Sequence, residues 1–68
     1  MFNFGQHLKS LRQAKNLTQK QLAEQIGASE SIIQRYELGS RKPAYDTLIA
    51  LADYFGVTLD YLVGRSDK

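Results

Sequence analysis

The chain has 68 residues, no cysteine, nine Lys/Arg against seven Asp/Glu, and a net charge of +2. This length allows one small domain near the lower limit for folding alone, and the lack of cysteine removes disulfides and thiolate metal sites as supports. No apolar run approaches the roughly eighteen residues of a membrane span, and "MFNFGQHLKS" lacks the order of a secretory signal, so a cytoplasmic protein with no membrane partner is expected.

The spacing predicts helices throughout, with no strand-like alternation, internal repeat or low-complexity tract. Asn3 precedes "FGQHLKSLRQAK" with Gln6 three places on, a capping box for the first helix, whose inner face carries Phe4, Leu8 and Leu11. Thr18 and Gln21 repeat the signature for a second helix with Leu22, Ala23 and Ile26 inward, and Gly27 ends it. Ser29 is the natural N-cap of a third helix, with Glu30 favourably placed in its first turn, and Gly39 closes it. The loop "SRKPA" leads to a fourth helix, "YDTLIALADYF", with Leu48, Leu51, Ala52 and Phe55 on one face and Gly56 at its end. Thr58 caps a short fifth helix, "LDYLV", ended by Gly64. The expectation is an all-α, five-helix bundle over residues 1–64 with a polar tail at 65–68.

Charge is distributed unevenly. From Met1 to Lys42 there are seven Lys/Arg against three Asp/Glu, and from Pro43 to Lys68 two against four. The N-terminal part therefore carries the positive potential, which suits an anion-facing surface.

The third helix shows where that surface lies. Advancing by helical steps, Glu30, Gln34, Leu38, Ser31 and Arg35 fall at about 0°, 40°, 80°, 100° and 140°. Ile32, Tyr36 and Ile33 fall at about 200°, 240° and 300°, so one flank is apolar and belongs in the core. The outward arc holds side chains that can read base edges: Arg35 can grip guanine O6 and N7, and Glu30 can accept from cytosine N4. Glu30 can instead orient Arg35 or Gln19. A polar helix face is usually only solvated, but here the context favours a site. A tight Gly27-Ala28 turn joins helices two and three, Gln19 and Lys20 sit at a helix start, and a basic loop follows. Backbone NH groups behind Ser29, together with Ser40, Arg41 and Lys42, can take phosphates on both sides of a groove.

"LTQKQLAEQIG", Tyr36-Glu37 with Gly39, "RKP" and "LADYFGVTLDYL" occur in the order and spacing of one family. From about Phe4 to Gly64 the chain closely resembles the Cro/C1-type helix-turn-helix domain, also called the XRE family. The resemblance implies a lambda-repressor-like fold and a regulator, repressor in type and bacterial or phage in origin, that binds double-stranded DNA with helix three in the major groove. It implies base contacts from Glu30, Ser31 and Arg35, with Gln34 in second rank. Gln19 would bond a phosphate and brace the start of helix three. Arg12 and Glu37 match a pair that often forms a structural salt bridge between helices one and three. Two departures stand out: Ala44 replaces a common capping serine, and Glu30, where glutamine is frequent, would repel phosphate.

Two other functional classes compete with this reading. Catalysis is not expected: the single His7 lies in helix one, Asp46, Asp53 and Asp60 recur on an exposed face, and no phosphate-loop or zinc spacing occurs. No cofactor, metal or small-molecule substrate is called for. The alternative is a protein-binding module of the same fold, an antitoxin or adaptor, acting through "VTLDYLV". Helix five is too short to bury all its apolar residues, and in the family such a patch commonly joins two copies. A homodimer through Leu59, Tyr61 and Val63, with neighbouring residues of helix four, is therefore expected. Whether the chain is a whole regulator or the DNA-binding part of a longer one stays open at this stage, as do operator and effector.

Overall fold

The computed structural model describes residues 2–65 and contains five helices: α1 (Phe4–Ala14), α2 (Gln19–Ile26), α3 (Glu30–Leu38), α4 (Tyr45–Phe55) and α5 (Leu59–Leu62). Their starts are set by local side-chain chemistry. Asn3 Oδ1 accepts from the Gln6 amide at 3.0 Å, and Ser29 Oγ from the Ile32 amide at 3.2 Å. At Thr18 the reciprocal box is complete: its hydroxyl takes the Gln21 amide at 3.0 Å, and the Gln21 side chain takes the Thr18 amide at 2.8 Å. At α5 the Thr58 hydroxyl accepts from the Tyr61 amide at 3.1 Å. α4 begins at Ala44 with no side-chain cap bond, the cost of lacking a hydroxyl there.

Each helix contributes one side chain with no solvent exposure: Leu8, Leu22, Ile33, Leu51 and Leu62. Ala23, Tyr36, Ala52 and Phe55 complete the buried cluster, and Phe4, Leu11, Ile26, Ile32 and Leu48 pack against it from partly exposed positions. α3 is the hub, packed on both α2 and α1, while α4 supports α2 and α5 closes against α4 and α1. No helix among the described residues is long and apolar enough to cross a membrane.

One contact in this core depends on a missing side chain. Gly5 is buried, and a Cβ built on it would run into the carbonyl of Glu37. α1 thus approaches the last turn of α3 backbone to backbone. Of the polar tail predicted at 65–68, Arg65 lies within the described residues. The Arg65 amide donates to the Asp60 carbonyl at 2.7 Å, so Arg65 belongs to the closing turn of α5, while residues 66–68 lie outside the described residues.

Gly5→Ala is expected to cost about 1–3 kcal/mol of stability, because the obstacle is backbone and cannot swing aside. Urea denaturation will show this as a lower midpoint at unchanged slope. A midpoint equal to wild type would mean that α1 and α3 are not in such close contact.

Candidate nucleic-acid interface

α2 ends at Gly27, whose φ of 71° lies in the left-handed region that a side chain disfavours. The Ala28 amide then donates to the Ala23 carbonyl at 2.8 Å, and the chain re-enters a helix at Ser29. Three residues, Gly27, Ala28 and Ser29, therefore join α2 to α3, a helix-turn-helix. α3 is closed by Gly39 and Ser40, whose amides donate to Tyr36 O at 3.2 Å and Arg35 O at 3.0 Å. These bonds hold α3 helical to Leu38.

The rotation of α3 is fixed at its end by Glu37. Arg12 Nε donates to Glu37 Oε2 at 2.7 Å and Arg12 Nη2 to Oε1 at 3.0 Å, with both side chains almost wholly shielded from solvent. Arg12 Nη1 donates to the Leu17 carbonyl at 2.7 Å, and Gln19 Nε2 reaches Glu37 Oε1 at 3.1 Å. The carboxylate bond outweighs desolvation and raises the Arg12 pKa above its ordinary range. Its contribution to folding is therefore complete below that range and is lost only where strong alkali removes the proton. Gln19 was expected to brace the start of α3; instead it braces the end, because Glu37 lies within its reach. Nor is Glu30 the partner of Gln19 or Arg35. Among the described residues the ion pair is Arg12–Glu37.

With α3 so held, Ile33 and Tyr36 are buried, Ile32 is half-buried, and Glu30, Ser31, Gln34 and Arg35 are all exposed along one face. The sequence-predicted anion-binding residues lie around it. Lys20 is exposed beside half-buried Gln19, whose amide keeps a second N–H for another acceptor. Ser29 accepts the Ile32 amide and keeps its hydroxyl hydrogen for donation. Ser40 is differently placed: its amide and, at 3.4 Å, its hydroxyl both point at Arg35 O, so an anion competes with the helix end for those donors. Arg41 and Lys42 are exposed, and Lys42 also borders an apolar groove with Phe2, Phe4, Pro43, Leu48 and Val63.

The residues expected at a dimer contact, Leu59, Tyr61 and Val63, are half-buried. Tyr61 meets the His7 ring edge-on at 4.9 Å, and His7 meets Phe2 in the same manner at 5.3 Å. Among the described residues, the buried Nε2 of His7 has no hydrogen-bond partner. Two features escaped sequence reasoning. Tyr45 and Ile49 expose apolar surface one turn apart on α4. Leu38 is 81% exposed and, with Gln34, Glu37, Gln19, Lys9 and Gln6, lines a cleft of about 270 Å³. The wheel placed Leu38 outward, but nothing local assigned it a role.

A family model described as helix-turn-helix matches residues 8–62. The HTH-type transcriptional regulator YqaE of Bacillus subtilis (strain 168) is 43% identical over 66 residues, covering 96% of this chain and 57% of YqaE. The chain thus spans little more than half the length of that relative. The restriction-modification controller protein C.AhdI from Aeromonas hydrophila is 33% identical, with a TM-score of 0.82 over 88% of this chain and 91% of its own. The P22 c2 repressor, solved in complex with a synthetic operator, reaches a TM-score of 0.90 over 97% of this chain and 100% of its own. At 23% identity that likeness is one of fold.

Glu37→Ala is expected to cost about 3 kcal/mol, since it leaves the Arg12 guanidinium shielded and unpaired. The exposed Glu24→Ala should stay within about 0.5 kcal/mol of wild type. Chemical denaturation of both variants checks the contrast, and equal effects would mean that the pair does not organise the fold.

Proposed function

The chain belongs to the Cro/C1-type helix-turn-helix family, and we propose that it is a sequence-specific double-stranded DNA-binding repressor that acts in the cytoplasm as a homodimer on an inverted-repeat operator. The family and its relatives are DNA-binding transcriptional regulators rather than enzymes. The observation that carries the proposal is the exposed row Glu30, Ser31, Gln34 and Arg35 on a helix whose rotation is locked from behind by Glu37. Residues 1–64 form the DNA-binding domain in this proposal.

α3 enters the major groove and presents that row to base edges, with Arg35 gripping a guanine in bidentate fashion. Glu30 accepts from a cytosine amino group and keeps away from the phosphates. Gln19, Lys20, Ser29, Arg41 and Lys42 hold the backbone on the groove walls, with Ser40 the weakest of the set because its donors are engaged. Each copy presents one reading helix, α3, and successive major-groove faces lie roughly 34 Å apart. One copy therefore reads one half-site, and a two-fold partner reads the other. The half-buried Leu59, Tyr61 and Val63 supply the contact between copies, together with residues of α4. Repression follows from occupancy alone, since a dimer seated on a promoter blocks polymerase.

Selection from a random duplex pool at about 150 mM salt tests this reading directly. An enriched inverted repeat is the expected result. Enrichment of a single unrepeated site would remove the dimer, and retention without enrichment would remove base reading. No retention at all would favour a protein partner at the α5 surface.

On the recovered site, Arg35→Ala and Lys42→Ala should behave differently. Arg35→Ala should cost about 1–3 kcal/mol on the cognate duplex and relax preference at one base pair. Lys42→Ala should weaken every duplex alike and lower the salt slope by about one unit. Titrations of both variants on cognate and scrambled duplexes at several salt concentrations separate the roles. Matching profiles would mean that one of the two has been misplaced.

A further inference from the structure

One cleft brings together side chains of α1, α2 and α3. Gln6 and Lys9 from α1, Gln19 from α2, and Gln34, Glu37 and Leu38 from α3 line this space of about 270 Å³. Every polar side chain among them except Glu37 carries N–H donors. The Glu37 carboxylate already accepts two bonds from Arg12 and one from Gln19, so its charge is matched within the fold. Lys9 is exposed and, among the described residues, forms no ion pair. What stays open in the cleft is a set of donors with one unmatched positive charge. Its complement is an anion.

We infer that this cleft binds one phosphate of the DNA backbone in each half-site, with Lys9 supplying the counter-charge and Gln19 its second N–H. α1 then takes part in holding DNA. The inference rests on the proposal that α3 lies in the major groove. Gln34 belongs both to the exposed row of α3 and to the cleft wall, so the cleft opens at the edge of the reading face. Backbone phosphates flank a helix seated in a major groove. The bond from Gln19 Nε2 to Glu37 Oε1 at 3.1 Å holds that amide at the cleft, and its other N–H is left to donate. Lys9 needs no such positioning, because an ammonium on a flexible stem attracts a phosphate from many directions. The space leaves room for water to complete the remaining contacts. A base edge is a poorer occupant, since a neutral base offers no full charge to match Lys9.

The test scans the selected operator with methylphosphonate, which replaces one phosphate at a time by an uncharged group. Binding is measured for wild type, Lys9→Ala, Lys9→Arg and Gln19→Ala at several salt concentrations. Lys9 is exposed, so its variants are expected to keep the wild-type melting temperature. At one position per half-site, methylphosphonate should weaken wild type and Lys9→Arg by about fivefold, the upper range for an exposed ion pair, and leave Lys9→Ala unaffected. Lys9→Ala should also lower the salt slope by about one unit per bound copy. Gln19→Ala should lose part of the sensitivity at that same phosphate. The inference is overturned if wild type and Lys9→Ala share one methylphosphonate profile, whatever the slope, since Lys9 would then act only as a distant charge. Full sensitivity in Gln19→Ala would overturn the cleft as the site, because Lys9 would be reaching a phosphate elsewhere. Failure to select any enriched site overturns base reading and this subsite together. A selected site without a Lys9-dependent phosphate overturns the subsite alone.

Discussion

A single carboxylate at the end of α3 orients the rest of the molecule. Glu37 receives Arg12 from α1 through two bonds and Gln19 from the start of α2 through a third. Arg12 also holds the Leu17 carbonyl in the connection between those helices. A shielded ion pair is weak support for net stability, since desolvating both charges offsets much of their attraction. What it supplies here is rotation and register. Glu37 lies between buried Tyr36 and exposed Leu38, so fixing its side chain fixes which flank of α3 turns inward. The Gly5 contact enforces the same geometry from the backbone side, because α1 can close on Glu37 only where no side chain intervenes.

In so small a domain the apolar core alone leaves such details loose. Five fully buried side chains, one from each helix, are enough to bring the helices together but leave little margin for error in packing. Directional bonds therefore carry the specification: side-chain caps start four of the five helices, and amide-to-carbonyl closures end them. The polar network behind α3 extends this economy to tertiary structure. It ties three helices through one carboxylate and leaves the outward face of α3 free of internal obligations.

The sequence made the local part of this legible and the distant part only where resemblance supplied it. Asn3, Thr18, Ser29 and Thr58 announce helix starts because each bonds an amide three residues away, and Gly27, Gly39 and Gly56 announce ends for equally local reasons. The periodicity of α3 placed Ile33 and Tyr36 inward without further help. The partner of Gln19 lies 18 residues away and depends on how α2 crosses α3, which no local pattern encodes. The Gly5 approach joins α1 to the end of α3, the Phe2–His7–Tyr61 ring contacts join α1 to α5, and both were equally invisible. Leu38 shows a different limit: its outward direction could be read, but not the cleft it lines with residues of α1 and α2.

The proposed division between base reading and phosphate holding follows a difference in rigidity. A base edge accepts donors and acceptors only over a narrow range of positions, so its reader must be held by more than its own helix. Glu30 to Leu38 satisfy this through the closure at Ser40 and the network at Glu37. A phosphate, by contrast, attracts a cation from many directions and tolerates a mobile partner. Arg41 and Lys42 stand on the loop before α4, a helix that starts without a side-chain cap. Substituting a capping hydroxyl for Ala44 would stiffen that loop, but phosphate contacts would gain little from it. The absence of a cap is therefore compatible with the function proposed for this loop. A comparable loosening behind Glu37 would not be, because it would turn the reading face itself.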